Sequence, residues 1–279
     1  MLSLRKDLLA FCGCLCVSLQ PSFSFLLDSS TRTAAIKSRT LPSLHNDLAS
    51  PSTALLRYSK SALFASSSQS STDPSLSIAF AKACAAFEEA HAEDPRKITI
   101  TNKDDKTTTE LPYSVHYHRR MAHWQQQLAP DAPEAVQLAC RTQHIRRWTR
   151  PRSDYPAGLA AYKKWRVDLQ KFHTAQASEI LLQSGYDEDM CTRVGELLQK
   201  QKLASDPDVQ ILEDVICVTF LENEYTDFVE GDKYDDDKLV DIVQKTWKKM
   251  TPRGHEAALK LAGQLSERGL RVVERALEG

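Results

Sequence analysis

Apolar residues recur at spacings of three and four through most of the chain from residue 75 onward, the period of a helix with one buried side. The first such stretch, 76–92, carries Ile78, Ala81, Ala85 and Ala86 on one side. It follows the candidate caps Asp73 and Ser75 and stops at Asp94-Pro95. Residues 113–128 repeat the pattern with Tyr117, Met121 and Trp124, until Pro130 breaks it. Pro133 opens a helix predicted to reach Trp148, with Val136, Ala139, Cys140 and His144 on one side. Residues 150–156, with prolines at 151 and 156, read as a stiff loop. Helical periodicity resumes over 158–183 and is stopped by Ser184-Gly185-Tyr186-Asp187. Further helices are predicted over 188–202, 207–224, 235–250 and 252–277. Only 97–112 departs from this period. There Ile98 and Ile100 alternate with Thr ahead of a polar turn, which predicts a loop or a short β-hairpin. The fold expected is all-α: one globular domain of seven or eight helices over about 75–279.

The stretch 207–224 differs from the others. Val209, Ile211, Leu212, Val215, Ile216, Cys217, Val218, Phe220 and Leu221 spread round the whole helix axis, the mark of a buried helix. Glu213 and Asp214 sit in its middle. A buried carboxylate needs a partner or a proton. A metal, a histidine or an arginine could supply it. Metal ligation or acid–base chemistry and a structural ion pair both fit the pattern.

Two histidines on predicted helices add to the candidate chemistry, since neutral imidazole is a common metal ligand and general base. His144 lies in Gln143-His144-Ile145-Arg146-Arg147-Trp148, and His173 lies among small and apolar residues in Phe172-His173-Thr174-Ala175. His116, His118 and His123, at spacings of two and five, do not share a face and read as surface residues. Arg141, Arg146, Arg147, Arg150 and Arg152 cluster before Tyr155 and Trp165. Guanidinium forks suit phosphate or carboxylate groups. One helical and one loop arginine, among Arg146, Arg147 and Arg152, could grip an anion with Tyr155 or Trp148 as an apolar wall. The acidic run at 232–237 lacks a calcium-loop pattern and reads as a solvated loop and helix start.

Charge divides the chain. Residues 1–72 carry a net +4 and residues 73–279 a net −5, which together give the −1 of the whole. The acidic body argues against nucleic acid as a partner. Residues 1–24, with Arg5 and Lys6 ahead of an apolar run from Leu8 to Leu19, read as a signal peptide. That run is too short to span a membrane, which takes about 20 apolar residues, so no transmembrane segment is expected in the mature protein. Residues 25–72 hold thirteen Ser and five Thr, with five basic against two acidic residues, a transit-like composition expected to be disordered. A signal followed by such a segment, with Phe23 and Phe25 at the junction, resembles the two-part plastid-targeting leaders of algae. Plastid is the expected destination, with secretion and the mitochondrion as alternatives. The body's cysteines, Cys84, Cys140, Cys191 and Cys217, form no Cys-x-x-Cys and read as single buried thiols.

Several segments together resemble one family. They are 78–94, Arg141-Thr142-Gln143-His144-Ile145-Arg146-Arg147-Trp148, Pro151-Arg152 with Tyr155-Pro156, Trp165-Arg166, Gly185-Tyr186-Asp187 and Leu212-Glu213-Asp214-Val215-Ile216-Cys217. They are similar to the "domain of unknown function 4202" family over roughly 75–277, and that family brings no activity to carry over. Some members bear a glutamyl-tRNA synthetase label. Lys249-Met250-Thr251-Pro252-Arg253 is similar to that enzyme's Lys-Met-Ser-Lys-Ser loop, but no His-Ile-Gly-His motif accompanies it, so the label is rejected as a mechanism.

A looser similarity is to helical metal-dependent phosphohydrolases of the His-Asp type, carried by His173, Gly185-Tyr186 and Glu213-Asp214. This chain contains no His-Asp dipeptide. The resemblance implies one divalent metal ion held by His144, His173 and Asp214, with Glu213 as the catalytic base or as a carboxylate supporting the metal ligands. Arg146, Arg147 and Arg152 would then hold a phosphorylated small molecule or nucleotide. The alternative is a non-catalytic helical module that binds an anionic ligand or a protein partner.

Overall fold

The computed structural model describes residues 74–101 and 106–278. The expected signal peptide and transit-like leader lie outside the described residues. In chain order the elements are α1 (Pro74–Ala92), β1 (Lys97–Thr101), β2 (Thr108–Pro112), α2 (Tyr113–Leu128), α3 (Glu134–Thr142), α4 (Leu159–Ser184) and α5 (Glu188–Leu198). Then come α6 (Pro207–Asn223), α7 (Tyr225–Glu230), α8 (Asp236–Trp247), α9 (Pro252–Lys260) and α10 (Glu267–Glu278). The fold is all-α, and its one sheet among the described residues is the β1–β2 antiparallel hairpin, paired from Lys97↔Pro112 to Thr101↔Thr108.

Local chemistry sets most helix ends. Asp187, Asp206 and Asp235 cap α5, α6 and α8 by accepting the amides of Met190, Asp208 and Lys238, and Pro207 occupies the first turn of α6. Gly185, at φ +103°, closes α4 in the left-handed region that a side chain resists. Asp236 and Asp237 stand in the first turn of α8, so the acidic run does supply helix-start charge.

Three expectations need correction. On α1 the buried side is Ala79, Phe80, Ala83, Phe87, Ala90 and His91, whereas Ile78, Ala81 and Ala85 face solvent. The two phenylalanines bury more area than a row of alanines, and they decide the face. The predicted 252–277 helix is two helices, because Ser266 accepts the Gly269 amide at 3.1 Å and starts α10 afresh. The helix predicted to reach Trp148 ends at Thr142.

The core comprises two clusters. The larger joins α1, α2, α3, α4, α5, α6 and α9, with Leu212, Val215 and Val218 of α6 fully buried in it. A smaller one gathers Phe220, Tyr225, Phe228, Val229, Leu239, Ile242 and Val272 where α6 runs on into α7, α8 and α10. Every residue from Leu212 to Phe220 is buried, as its all-round apolar pattern requires. Among the described residues no helix is long and apolar enough to cross a membrane.

Candidate functional site

Four helical segments converge on a group of imidazoles. His91 comes from the last turn of α1, and Ser114, Tyr117 and His118 from the start of α2. His144 and Arg147 come from the turn after α3. His173 comes from α4, where Trp165, Leu169, His173 and Ala177 form one buried stripe at intervals of four. The His91 and His118 rings stack at 3.6 Å between centroids, only 11° from parallel. His118 stands 6.5 Å from His144, and His144 stands 5.9 Å from His173. Tyr117 packs beside both His118 and His144.

Hydrogen bonds fix the first two rings. His91 donates from Nε2 to the Arg141 carbonyl at 2.8 Å, so its Nδ1 must accept from the Ser114 hydroxyl at 2.9 Å. His118 donates from Nδ1 to the Ser114 carbonyl at 2.7 Å, so its Nε2 is free to accept the His144 amide at 3.3 Å. Each ring is therefore a neutral imidazole of defined tautomer. Burial lowers His91 to about 4, with the Arg146 charge acting in the same direction. Burial first, then the neighbouring His91, hold His118 well below its usual value.

The last bond falls just beyond the end of α3. The His144 amide leaves the helix to meet His118, and Arg146 then turns into the left-handed region at φ +49°. This kink sends consecutive arginines to opposite sides. Arg146 faces outward, with two bonds to Glu93 at 2.6 and 2.9 Å and one to Gln176 at 2.8 Å. Arg147 turns inward, is buried, and lies over the Trp165 ring at 5.4 Å.

His144 and His173 differ from the first pair. His144 is half-buried, and its pKa is held well below the usual value by burial and then by Arg147 and His173. His173 is only 5 % exposed and is lowered to about 3 by burial and the Arg147 charge. Its Nε2 has no hydrogen-bond partner. Leaving a buried polar atom unpaired costs about 1–3 kcal/mol; Gln125 Oε1, Thr142 Oγ1, Gln143 Oε1 and Thr219 Oγ1 are in the same state. At the edge of the group, Tyr113 donates its hydroxyl to Glu224, whose carboxyl is raised by burial against the pull of Arg147 and Arg96.

The other expected site residues make contacts of their own. Glu213 is buried and pairs with Lys200 at 2.6 Å, the lysine being held in a left-handed turn at φ +54°. Asp214 is buried and accepts the Thr251 amide at 2.9 Å and the Thr251 hydroxyl, which ties α6 to the first turn of α9. Gly254 is required beside it, since a Cβ there would fall 2.4 Å from Asp214 Oδ1. Arg152 closes its own loop by donating to the carbonyls of Tyr155 and Pro156 at 2.7 and 2.8 Å. Tyr155 donates to Asp168, and Trp148 is half-buried in the single turn Arg147–Thr149.

The structure thus brings His144, His173 and Arg147 together but does not assemble His144, His173 and Asp214 as a metal site. Among the described residues no group of three or more His, Cys, Asp or Glu is arranged to hold a metal ion. Sequence reasoning missed His91 and read His118 as a surface residue, yet His118 is only 5 % exposed. The available signal was its place with Ser114, Met121, Gln125 and Leu128 on one face of α2, all of them buried.

Comparison with known proteins identifies the family described as Domain of unknown function (DUF4202), matched over residues 81–273. No curated protein matches, and no solved structure matches. The chain belongs to the DUF4202 family.

Proposed function

We propose that this member of the DUF4202 family is a binding module for a small anionic molecule of the phosphorylated class, held where His144, His173 and Arg147 meet. The observation that carries the reading is His173 Nε2, a buried and unpartnered polar atom beside a second imidazole and a guanidinium. A ligand placed there hydrogen-bonds to Nε2, and Arg147 faces the ligand's charge. The imidazoles stay neutral, so they contribute hydrogen bonds and Arg147 contributes the charge. Arg152 and Tyr155, engaged in their own loop, take no part. Asp214, expected to join His144 and His173 around a metal ion, is instead engaged by the Thr251 amide and hydroxyl.

The test is thermal unfolding of the purified chain with inorganic phosphate, pyrophosphate and a nucleoside monophosphate. Binding raises stability saturably by RT ln(1 + [L]/Kd). The rise is lost in His173→Phe and kept in Arg152→Ala. No rise with any of the three, or an equal rise in His173→Phe, would refute the site. The plastid destination is a separate proposal that rests on the composition of residues 1–72. A fusion of that leader to a fluorescent protein tests it, and a secreted or mitochondrial signal would replace it.

A further inference from the structure

We propose that His118 is a positioning residue: its Nε2 lone pair, by taking the His144 amide, sets the turn that delivers His144 and Arg147 to the ligand site. This rests on the binding function proposed above for the ligand, but its structural part stands on contacts already described. The Ser114 carbonyl holds the proton on Nδ1 of His118, which leaves Nε2 as an acceptor. The stacked His91, itself held by the Arg141 carbonyl and the Ser114 hydroxyl, keeps the ring in place. Ser114 therefore serves both rings, one through its hydroxyl and the other through its carbonyl.

Without the acceptor, the His144 amide has the ordinary helical alternative of the Cys140 carbonyl, four residues back. Taking it would lengthen α3 by a turn and remove the left-handed conformation at Arg146, which is unfavourable for a residue with a side chain. The two arginines would then lie about 100° apart on one helix, and Arg147 would no longer be turned from Arg146 toward Trp165 and His173. His118 touches no part of the proposed ligand position; it acts through the backbone of His144.

Two variants test this in the full chain. His118→Phe keeps a ring to stack on His91 but removes the acceptor. His118→Gln keeps an acceptor oxygen near the Nε2 position and a donor for the Ser114 carbonyl. Backbone chemical shifts of residues 143–147 in the ligand-free protein are read first. They are expected to move to helical values in His118→Phe, Arg146 leaving the left-handed region, and to return in His118→Gln. Phosphate titration is read second, with affinity falling about tenfold in His118→Phe and recovering in His118→Gln.

Unchanged turn shifts at Arg146 in a folded His118→Phe overturn the inference. So does full phosphate affinity in that variant. If the unaltered protein binds no phosphate, the ligand reading fails and the chemical-shift result alone decides whether His118 sets the turn.

Discussion

Two groups of buried polar side chains lie in this fold, and they end differently. On α6, Glu213 and Asp214 sit among apolar residues, and the surrounding chain closes on both. Lys200 reaches in from the α5–α6 loop, and Thr251 offers its amide and hydroxyl from the start of α9. Around α2 and the α3–α4 turn, the imidazoles begin the same way, with His91 and His118 paired at both ring nitrogens. The run then stops at His173, whose Nε2 is buried and unpaired. Both groups look functional by residue type and burial. What separates them is the missing partner at His173 Nε2, which is where we propose that the ligand sits.

Removing partners should sharpen the contrast. Lys200→Met leaves Glu213 buried without its ammonium. Breaking a buried pair from one side costs about 3–5 kcal/mol, so the urea midpoint should fall steeply. A midpoint within error of the unaltered protein would mean that Glu213 is not closed by Lys200.

Acid should strike the imidazole group. His91 and His173 are held at about 4 and about 3, against an ordinary 6.5. A histidine depressed in the fold contributes stability that is complete above its unfolded value and is lost as pH falls toward the folded one. Between pH 7 and pH 5 each should cost about 2 kcal/mol. Asp214 and Glu224, both raised by burial, act in the opposite sense. Urea unfolding across that range measures the net effect, and His173→Phe should flatten it by one histidine's share. An equal slope in that variant would contradict a neutral, buried His173.

The smallest expected change has the opposite sign to Lys200→Met. Replacing an unsatisfied buried polar group by an apolar one of similar shape is nearly neutral or stabilising. The unliganded His173→Phe protein should therefore unfold within about 1 kcal/mol of the parent, or later, at pH 7. A loss of several kcal/mol would show that His173 is a structural histidine like His91.

The helices were legible in the sequence because their periods are local. The all-round apolar pattern of 207–224 announced the burial of Glu213 and Asp214 for the same reason. Their partners were not legible. Lys200 sits 13 residues away and Thr251 sits 37 away, and only the packing of α5 and α9 against α6 brings them in. The turn after α3 was hidden in the same way, since His118, which takes the His144 amide, comes from another helix. On α1 a row of small residues pointed to the wrong face, where Phe80 and Phe87 outweigh it. His144 and His173 were singled out by residue type, but nothing in a separation of 29 positions could place Arg147, rather than Asp214, beside them.

The most direct measurement is nuclear magnetic resonance of the imidazole nitrogens in the 15N-histidine-labelled chain during titration with inorganic phosphate. The account predicts that His173 Nε2 moves saturably, that His144 follows to a smaller extent, and that His91 and His118 keep their free-state tautomers and positions. A His173 resonance that stays still while phosphate is added, or histidines that all drift together as with ionic strength, would contradict it.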